Sequence, residues 1–452
     1  MNAKANDMTR GTEWKLILVF AIPVMLGNLL QQLYSAVDGI IVGKFVGEAA
    51  LSAVGTTQSI TFLCTSIAMG LGVGASIMTS QYFGAGRKDD IPLVVDTSLI
   101  LSGSVGIIVS ILGIIFSRFL LGTVLNVPDN LLGDASIYFQ IYCAAMLFTF
   151  IYNAIAAILR GLGDSKATLY FLLTSTILNV FLDLLFVAVF KWAVIGAAVA
   201  TSIAQAICAI VSFLYLRRRI KANNGKHFDK ASCGVILRLG VPAAIQQSVV
   251  SFGHMAMQRL VNGFGQYSIA AYTAGNRIDN FMFVPIMGMS TAMSNFTGQN
   301  MGAGQLDRIK KGLRFTILAN LTIAVTISVL LYVFATPVIS LFSLSGESLA
   351  RGIEQVRFVT LFFWCFSLYM GICGLLQGSG DVIAQSLISF TTLAVRVILG
   401  YIGVALHVLD YEAAWVTMPI GWVVAVLLAV FRYARGTWKK KAVAGSLANE
   451  EK

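Results

Sequence analysis

The chain has 452 residues, 57% of them hydrophobic and only 12% charged, with a mean hydropathy of +0.80. No soluble globular protein needs that much apolar surface, so the composition reads as a polytopic membrane protein. The net charge of +11 invites a nucleic-acid reading, but the placement of the charges, taken up below, argues instead for membrane topology.

Twelve spans are predicted in chain order. The first covers 15–40, and the stretch FAIPVMLGNLLQQLYSAVDGIIVG at 20–43 is long enough to cross a bilayer, which takes about 20 residues. It shows no A-x-A-like cleavage site and is expected to stay as a membrane helix. Pro23 near its start should free a backbone carbonyl and bend the helix. Gly27, Gln31, Tyr34 and Asp38 recur at helical spacing and share one face. An acid inside a membrane helix costs roughly 2.5–3.5 kcal/mol on insertion scales, so it is by default a functional candidate. The competing reading is that Asp38 snorkels to the headgroups beside Lys44, and the stretch alone leaves both open.

The second span, 52–83, holds GLGVGA at 70–75. It superficially echoes a nucleotide loop, but it lies inside a span and lacks G-K-[ST], so close helix packing explains it better. No ATP-binding segment is apparent; a pump built this way must draw on an ion gradient. The third span is 93–118. The fourth, 134–158, carries Tyr138, Tyr142, Thr149 and Asn153 along one stripe. The fifth, 167–190, places Thr176, Asn179 and Asp183 at i, i+3 and i+7 on one face. The sixth, 194–216, carries Thr201 and Gln205 one turn apart. Lipid satisfies no polar group, so stripes on several spans imply a shared internal cavity. Asp183 lies about 12 Å of helix before Lys191, and Asp38 about 9 Å before Lys44, which sets both acids and Thr201 at one outer depth. Two carboxylates, an amide and a hydroxyl form a hard-oxygen set that suits a small cation such as Na⁺, and equally suits protons. A hydrogen-bonded structural network is the bland alternative.

After a polar linker the pattern restarts at 236–260, 268–300, 313–336, 353–376, 383–407 and 414–434. AIPVMLGNLLQQ at 21–32 recurs as GVPAAIQQSVVS at 240–251, SQYFGAGRKDD at 80–90 as GQNMGAGQLDR at 298–308, and LRGLGDS at 159–165 as LQGSGDV at 376–382. Six spans per half make the repeats parallel, related by an axis along the membrane normal. The G-A-G and G-D turns are expected to cap helices. By this register Asp38 corresponds to Met257, Asn179 to Arg396, Asp183 to Gly400 and Thr201 to Met418, so the scaffold is repeated but the acids are not. Arg259, Arg277 and Arg396 fall within second-half spans with Asp279 as the nearby acid, and are expected to be paired or exposed to water.

Alternate loops differ in charge. One side holds Lys4, Arg10, Lys15, Arg87, Lys88, Arg160, Lys166, the tract from Arg217 through Lys221 to Arg238, then Arg308, Lys310, Lys311, Arg314 and the basic tail; the other holds Lys44, Arg118, Lys191, Arg351 and Arg357. The positive-inside rule then puts both termini in the cytoplasm. The domains read as an N-lobe at 1–216, a cytoplasmic linker at 217–235 whose length lets two lobes move independently, a C-lobe at 236–436 and a basic cytoplasmic tail at 437–452. The six cysteines show no C-x-x-C spacing and the three histidines are scattered, so no metal site beyond a Na⁺ at the acids is expected. His254, inside a span, reads as packed.

Two six-helix halves, a proline-bent first helix with Asp38, R-G-x-G-D after the fourth span and N-x-x-x-D in the fifth together resemble the multidrug and toxic compound extrusion (MATE) transporters over essentially the whole chain. The resemblance implies a V-shaped, twelve-helix exporter that swaps H⁺ or Na⁺ for organic cations. Within its DinF-like branch, Asp38, Asn179, Asp183 and Thr201 match the cation site, and Gln31, Tyr34, Tyr138 and Asn153 match positions lining the drug cavity, to which the polar stripes add Thr176 and Gln205. The expectation is a secondary active multidrug antiporter, not an enzyme, with Pro23 as hinge and with no cofactor besides the coupling ion. Its partners would be small organic cations or drugs and membrane lipids, not nucleic acid; it would be a monomer in the cell (inner or plasma) membrane. A lipid-linked saccharide flippase of the same superfamily is the runner-up, disfavoured by the twelve spans and the acidic N-lobe. An intramembrane enzyme is a third reading, without a nucleophile–base pair to support it.

Overall fold

The computed structural model describes residues 7–125, 127–220 and 225–442, side chains at 48–51 excepted. Lys4, Lys221 and residues 443–452 of the tail lie outside the described residues. Among those described, the chain is all helix and turn, with no strand. The long helices are α1 (Glu13–Phe45), α2 (Glu48–Gly84), α3 (Ile91–Ile115), α4 (Asp129–Ala144), α5 (Met146–Gly161), α6 (Ser165–Asp183), α7 (Ala193–Arg219), α8 (Lys230–Asn262), α9 (Gln266–Gly302), α10 (Leu306–Val333), α11 (Gly346–Ser379), α12 (Val382–Ala405) and α13 (Ala413–Ala434). Each expected span falls on one of them, or on a pair. Ten are long and apolar enough to cross a membrane, and α4 with α5, bent by 48° at their junction, makes an eleventh. The eighth expected span is α9, whose 37 residues are amply long, but whose sequence is more polar. Helices overrun the expected spans because their polar ends reach beyond the apolar slab.

The chain divides into two compact units: Leu26–Gln247 in the first, and Met8–Met25 with Ser248–Ala442 in the second. The unit boundaries do not fall between the repeats. They fall inside α1 and α8, just after Pro23 and Pro242 respectively, both of which lie within their helices. Each proline lacks the N–H that would bond the carbonyl four residues back.

In the first unit, the start of α8 packs on α2. A Cβ on Gly70 would lie 2.5 Å from Ala244 Cβ, and one on Gly74 would collide with the Ile236 carbonyl. The glycines at 70–75 are therefore a helix-packing face, as small residues are in membranes. In the second unit, Gly288 meets Met25 of α1 in the same way. The described parts of the linker bond to α3. His227 Nδ1 lies 2.8 Å from Asp96 Oδ2, Arg217 Nη1 lies 2.7 Å from Asp96 Oδ1, and the Asp229 N–H donates to Thr97 Oγ1 at 3.0 Å. The segment before α1 is held likewise in the second unit. The Met8 N–H donates to Gln299 Oε1 at 2.8 Å, Asn300 donates to the Met8 carbonyl at 3.1 Å and Arg308 donates to the Gly11 carbonyl at 2.9 Å.

The two G-x-G-D turns reuse one acid in different ways. Asp164 caps α6 by accepting from the Ala167 N–H at 3.1 Å, and also binds Tyr215 Oη at 2.8 Å and Arg219. Asp381 makes no side-chain cap and instead takes a two-pronged bond from Arg432 at 2.7 and 2.9 Å. Each clamp ties the turn to the last helix of its own half. The second unit has one continuous apolar core in which Phe283, Phe363, Phe366 and Trp422 interlock.

Candidate functional site: a carboxylate pair in the first unit

The site is assembled from α1, α6 and α7. Asp38 and Asp183 are far apart in sequence, yet their carboxyl groups lie within hydrogen-bonding reach of each other. Asp183 is fully buried, Asn179 is 1% exposed and Thr201 6%, while Asp38 is half-buried. Asp38 therefore makes no pair with Lys44; it turns inward.

Asn179 and Thr201 complete the set. The Asn179 amide is assigned from its partners: its nitrogen donates to Asp183 Oδ2 at 2.8 Å, and its oxygen accepts from Thr201 Oγ1 at 3.3 Å. Thr201 Oγ1 also lies 3.3 Å from the Tyr34 hydroxyl. A threonine hydroxyl has one proton to give. With that proton spent on Asn179, the Tyr34 O–H must donate to Thr201. A one-way hydrogen-bond chain thus runs from Tyr34 through Thr201 and Asn179 to Asp183. It ends on a carboxylate oxygen that can only accept, so a proton or cation held by the pair belongs on the side facing Asp38. One oxygen of each acid, Oδ1 of Asp38 and Oδ1 of Asp183, is buried without a protein partner. Buried acid oxygens without donors call for a bound proton, cation or water.

Local backbone helps to aim the acid. Immediately after Asp183 the helix passes into a π-helical turn, Leu184–Val189, a feature that clusters at functional sites. Nothing in the apolar sequence LLFVAV announces it.

The other expected residues separate into two groups. Tyr138 is buried among Ile41, Val42, Val187, Val194, Ala197 and Ala198, with its hydroxyl in electrostatic range of Asp38, Tyr34 and Asp183; it belongs to the wall of the acid pair. Gln31 is exposed, and Asn153, Thr176 and Gln205 are half-buried. Asn153 donates to the Thr149 carbonyl of its own helix at 2.8 Å. Among the described residues none of these four hydrogen-bonds to the pair. No group of three or more His, Cys, Asp or Glu able to hold a metal ion occurs among the described residues; the hard-oxygen set that could hold a small cation is the two acids with Asn179 and Thr201.

Both halves match one family model, MatE, at residues 23–185 and 242–402. The chain belongs to the MatE family. It is 31% identical over 451 residues, 95% of each chain, to the "Probable multidrug resistance protein YoeA" of Bacillus subtilis. Among solved structures, it matches a MATE transporter crystallised with the compound MaD3S, with a TM-score of 0.91, 25% identity and coverage of 98% of this chain and 100% of that one. It also matches an outward-facing multidrug resistance MATE transporter of the MOP superfamily, with a TM-score of 0.90, 26% identity and coverage of 98% and 99%. The fold is therefore that of a multi-pass MatE membrane protein.

The second half of this MatE chain was expected to carry arginines that are paired or exposed. Arg259 and Arg277 are exposed. Arg396 is 7% exposed, with Nη2 donating to Tyr272 Oη at 3.4 Å and to the Ala414 carbonyl at 3.3 Å. His254 is exposed on α8 rather than packed. Sequence reasoning passed over Gln355, buried beside Asp279; the signal was its register with Tyr138.

Proposed function

We propose that this chain is a secondary active multidrug exporter of the DinF-like branch, trading H⁺ or Na⁺ for amphipathic, often cationic organic compounds. The observation that carries this reading is the contact between the Asp38 and Asp183 carboxyls, closed by Asn179 and Thr201. Two acids so close hold one proton or one small cation between them far more readily than two bare charges. Family membership and the multidrug resistance relatives support an exporter of small molecules. In this reading the chain sits in the inner or plasma membrane with both termini in the cytoplasm, as its loop charges favour.

Antiport needs cation and drug to compete for states of one protein. Tyr34 and Asp38 share α1, so loading the acid pair reorganises the Tyr34–Thr201–Asn179 chain and moves a face that would contact drug. Pro23, at the point where α1 passes from one unit to the other, supplies a place to bend, with drug contacts from Gln31, Tyr34, Tyr138, Asn153, Thr176 and Gln205. One charge crossing 100 mV carries about 2.3 kcal/mol, enough for tens-fold accumulation once a chemical gradient adds to it. The test is efflux of a dye panel from vesicles with the proton and sodium gradients collapsed separately. Loss of accumulation with one gradient names the ion; accumulation indifferent to both would sink the reading.

A further inference from the structure

The second unit contains a buried acid that the carboxylate pair does not use. Asp279 on α9 is 3% exposed, and among the described residues neither of its carboxyl oxygens has a hydrogen-bond partner. Gln355 on α11 is fully buried, and neither its amide oxygen nor its amide nitrogen has one. The two side chains lie together. A Cβ on Gly275 would collide with Cδ, Nε2 and Oε1 of Gln355, so the amide rests directly on α9 there. Asp279 follows one helical turn later on the same face, within side-chain reach of that amide. Four polar atoms are thus buried side by side, and each calls for a partner.

The charged groups nearby do not supply those partners. Of the charged and titratable groups on the surrounding helices, Arg396 of α12 is the one in electrostatic range of Asp279. Among the described residues it makes neither a hydrogen bond nor an ion pair with the acid. Its Nη2 donates instead to Tyr272 Oη at 3.4 Å and to the Ala414 carbonyl at 3.3 Å. Arg277, on α9 itself, is exposed, and the His254 ring of α8 is in range of Arg396.

The four atoms select among the remaining occupants. An ionised Asp279 can only accept. The amide nitrogen could then serve one carboxylate oxygen, but the amide oxygen would face the acid with no donor. A Na⁺ is held by oxygens alone and would leave the amide nitrogen orphaned. One proton serves all four. A protonated acid offers one O–H donor and one acceptor oxygen, and a primary amide offers the matching N–H and C=O. The Asp279 O–H donates to Gln355 Oε1 while Gln355 Nε2 donates to the other Asp279 oxygen, which closes a ring. We infer that Asp279 and Gln355 form a proton-binding site in the second unit, an acid–amide pair that holds one proton. The inference does not depend on which ion the Asp38–Asp183 pair takes.

The test is infrared spectroscopy of the purified chain at neutral pH, with Asp38→Asn and Asp183→Asn in place so that the first unit's pair gives no carboxyl signal. A protonated-carboxyl C=O band is expected, unchanged by sodium and lost with Asp279→Asn. Absence of the band, its loss as sodium is added at fixed pH, or undiminished strength in Asp279→Asn overturns the inference. Gln355→Leu should move the band to higher frequency, because the O–H loses its acceptor; an unmoved band would overturn the pairing. A second readout is the thermal midpoint against pH. A folded chain that keeps a proton the unfolded chain has released loses stability as pH rises. Asp279→Asn makes the same two hydrogen bonds as an amide–amide pair without that proton. It should therefore fold, with a shallower fall of midpoint from neutral to alkaline pH. Failure of Asp279→Asn to fold, or an undiminished fall, also overturns the inference.

Discussion

The two halves share a scaffold and differ where the chemistry lies. In the first, Asp38 of α1 meets Asp183 of α6. In the second, the matching positions are Met257 of α8 and Gly400 of α12, and they also meet: a Cβ on Gly400 would lie 3.1 Å from Met257 Cε. The repeat thus preserves a helix contact while exchanging two acids for a thioether laid on a glycine. The difference teaches that the contact is architectural and the charge is an addition to it, made affordable only where Asn179, Thr201 and Tyr34 supply donors.

The largest effect should come from removing the charge where it is supported. Asp183→Asn and Asp38→Asn should each abolish gradient-driven efflux while leaving folded protein in the membrane, as judged by vesicle transport and by size-exclusion chromatography. Unchanged transport in either variant would break the comparison. Next comes an acid placed in the matching position of the second half. Met257→Asp puts a carboxylate on a buried site (Met257 is 0% exposed) in the apolar core, where Met418 stands in place of Thr201 and Gly400 in place of the second acid. The expected cost is about 3 kcal/mol, in the range of insertion scales for a membrane acid, seen as a lower thermal midpoint and less protein in the membrane. If it is tolerated as well as Asp38 is, the donor set is not what matters.

A smaller effect is expected within the chain of hydrogen bonds. Thr201→Val keeps the shape and the backbone N–H that also reaches the Asn179 oxygen at 3.3 Å, but removes the hydroxyl donor to that oxygen and leaves the Tyr34 hydroxyl without its partner, at about 1–3 kcal/mol. Coupling-ion affinity should fall by about five- to hundredfold, measured by the ion dependence of efflux, with the apolar packing intact. The smallest is Gly400→Ala. The new Cβ comes tightest against the flexible end of Met257, at 3.1 Å from Cε, with Leu260 Cδ2 in ordinary contact at 3.7 Å, so the cost should be about 1 kcal/mol or less, checked by thermal midpoint, with transport unchanged.

Much of this was legible beforehand because membrane insertion leaves the sequence few choices. With no water to satisfy the backbone, apolar stretches of sufficient length become helices, so all twelve spans could be placed and the duplication read from Pro23 and Pro242, the G-A-G turns and the G-D turns. The polar stripe of α1 and the Thr176–Asn179–Asp183 face follow from helical period alone. What the period leaves open is which stripes meet. Thr176 and Asn153 carry the same kind of signal as Asn179, yet stand outside the network.

The sequence by itself determined the fold class, the number and order of the spans, the repeat and the identity of the acids, because these depend on local hydropathy and on motifs that recur in register. Tertiary structure alone decided that Asp38 turns toward Asp183 rather than Lys44, that Asn179 donates a hydrogen bond to one acid and accepts one from Thr201, and that Arg217, His227 and Asp229 of the linker bond to Asp96 and Thr97. It also decided that the units change over inside α1 and α8. Each of these is a contact between residues distant in sequence, set by helix packing around glycines and by the need to satisfy buried polar atoms, and neither requirement is written in any single helix.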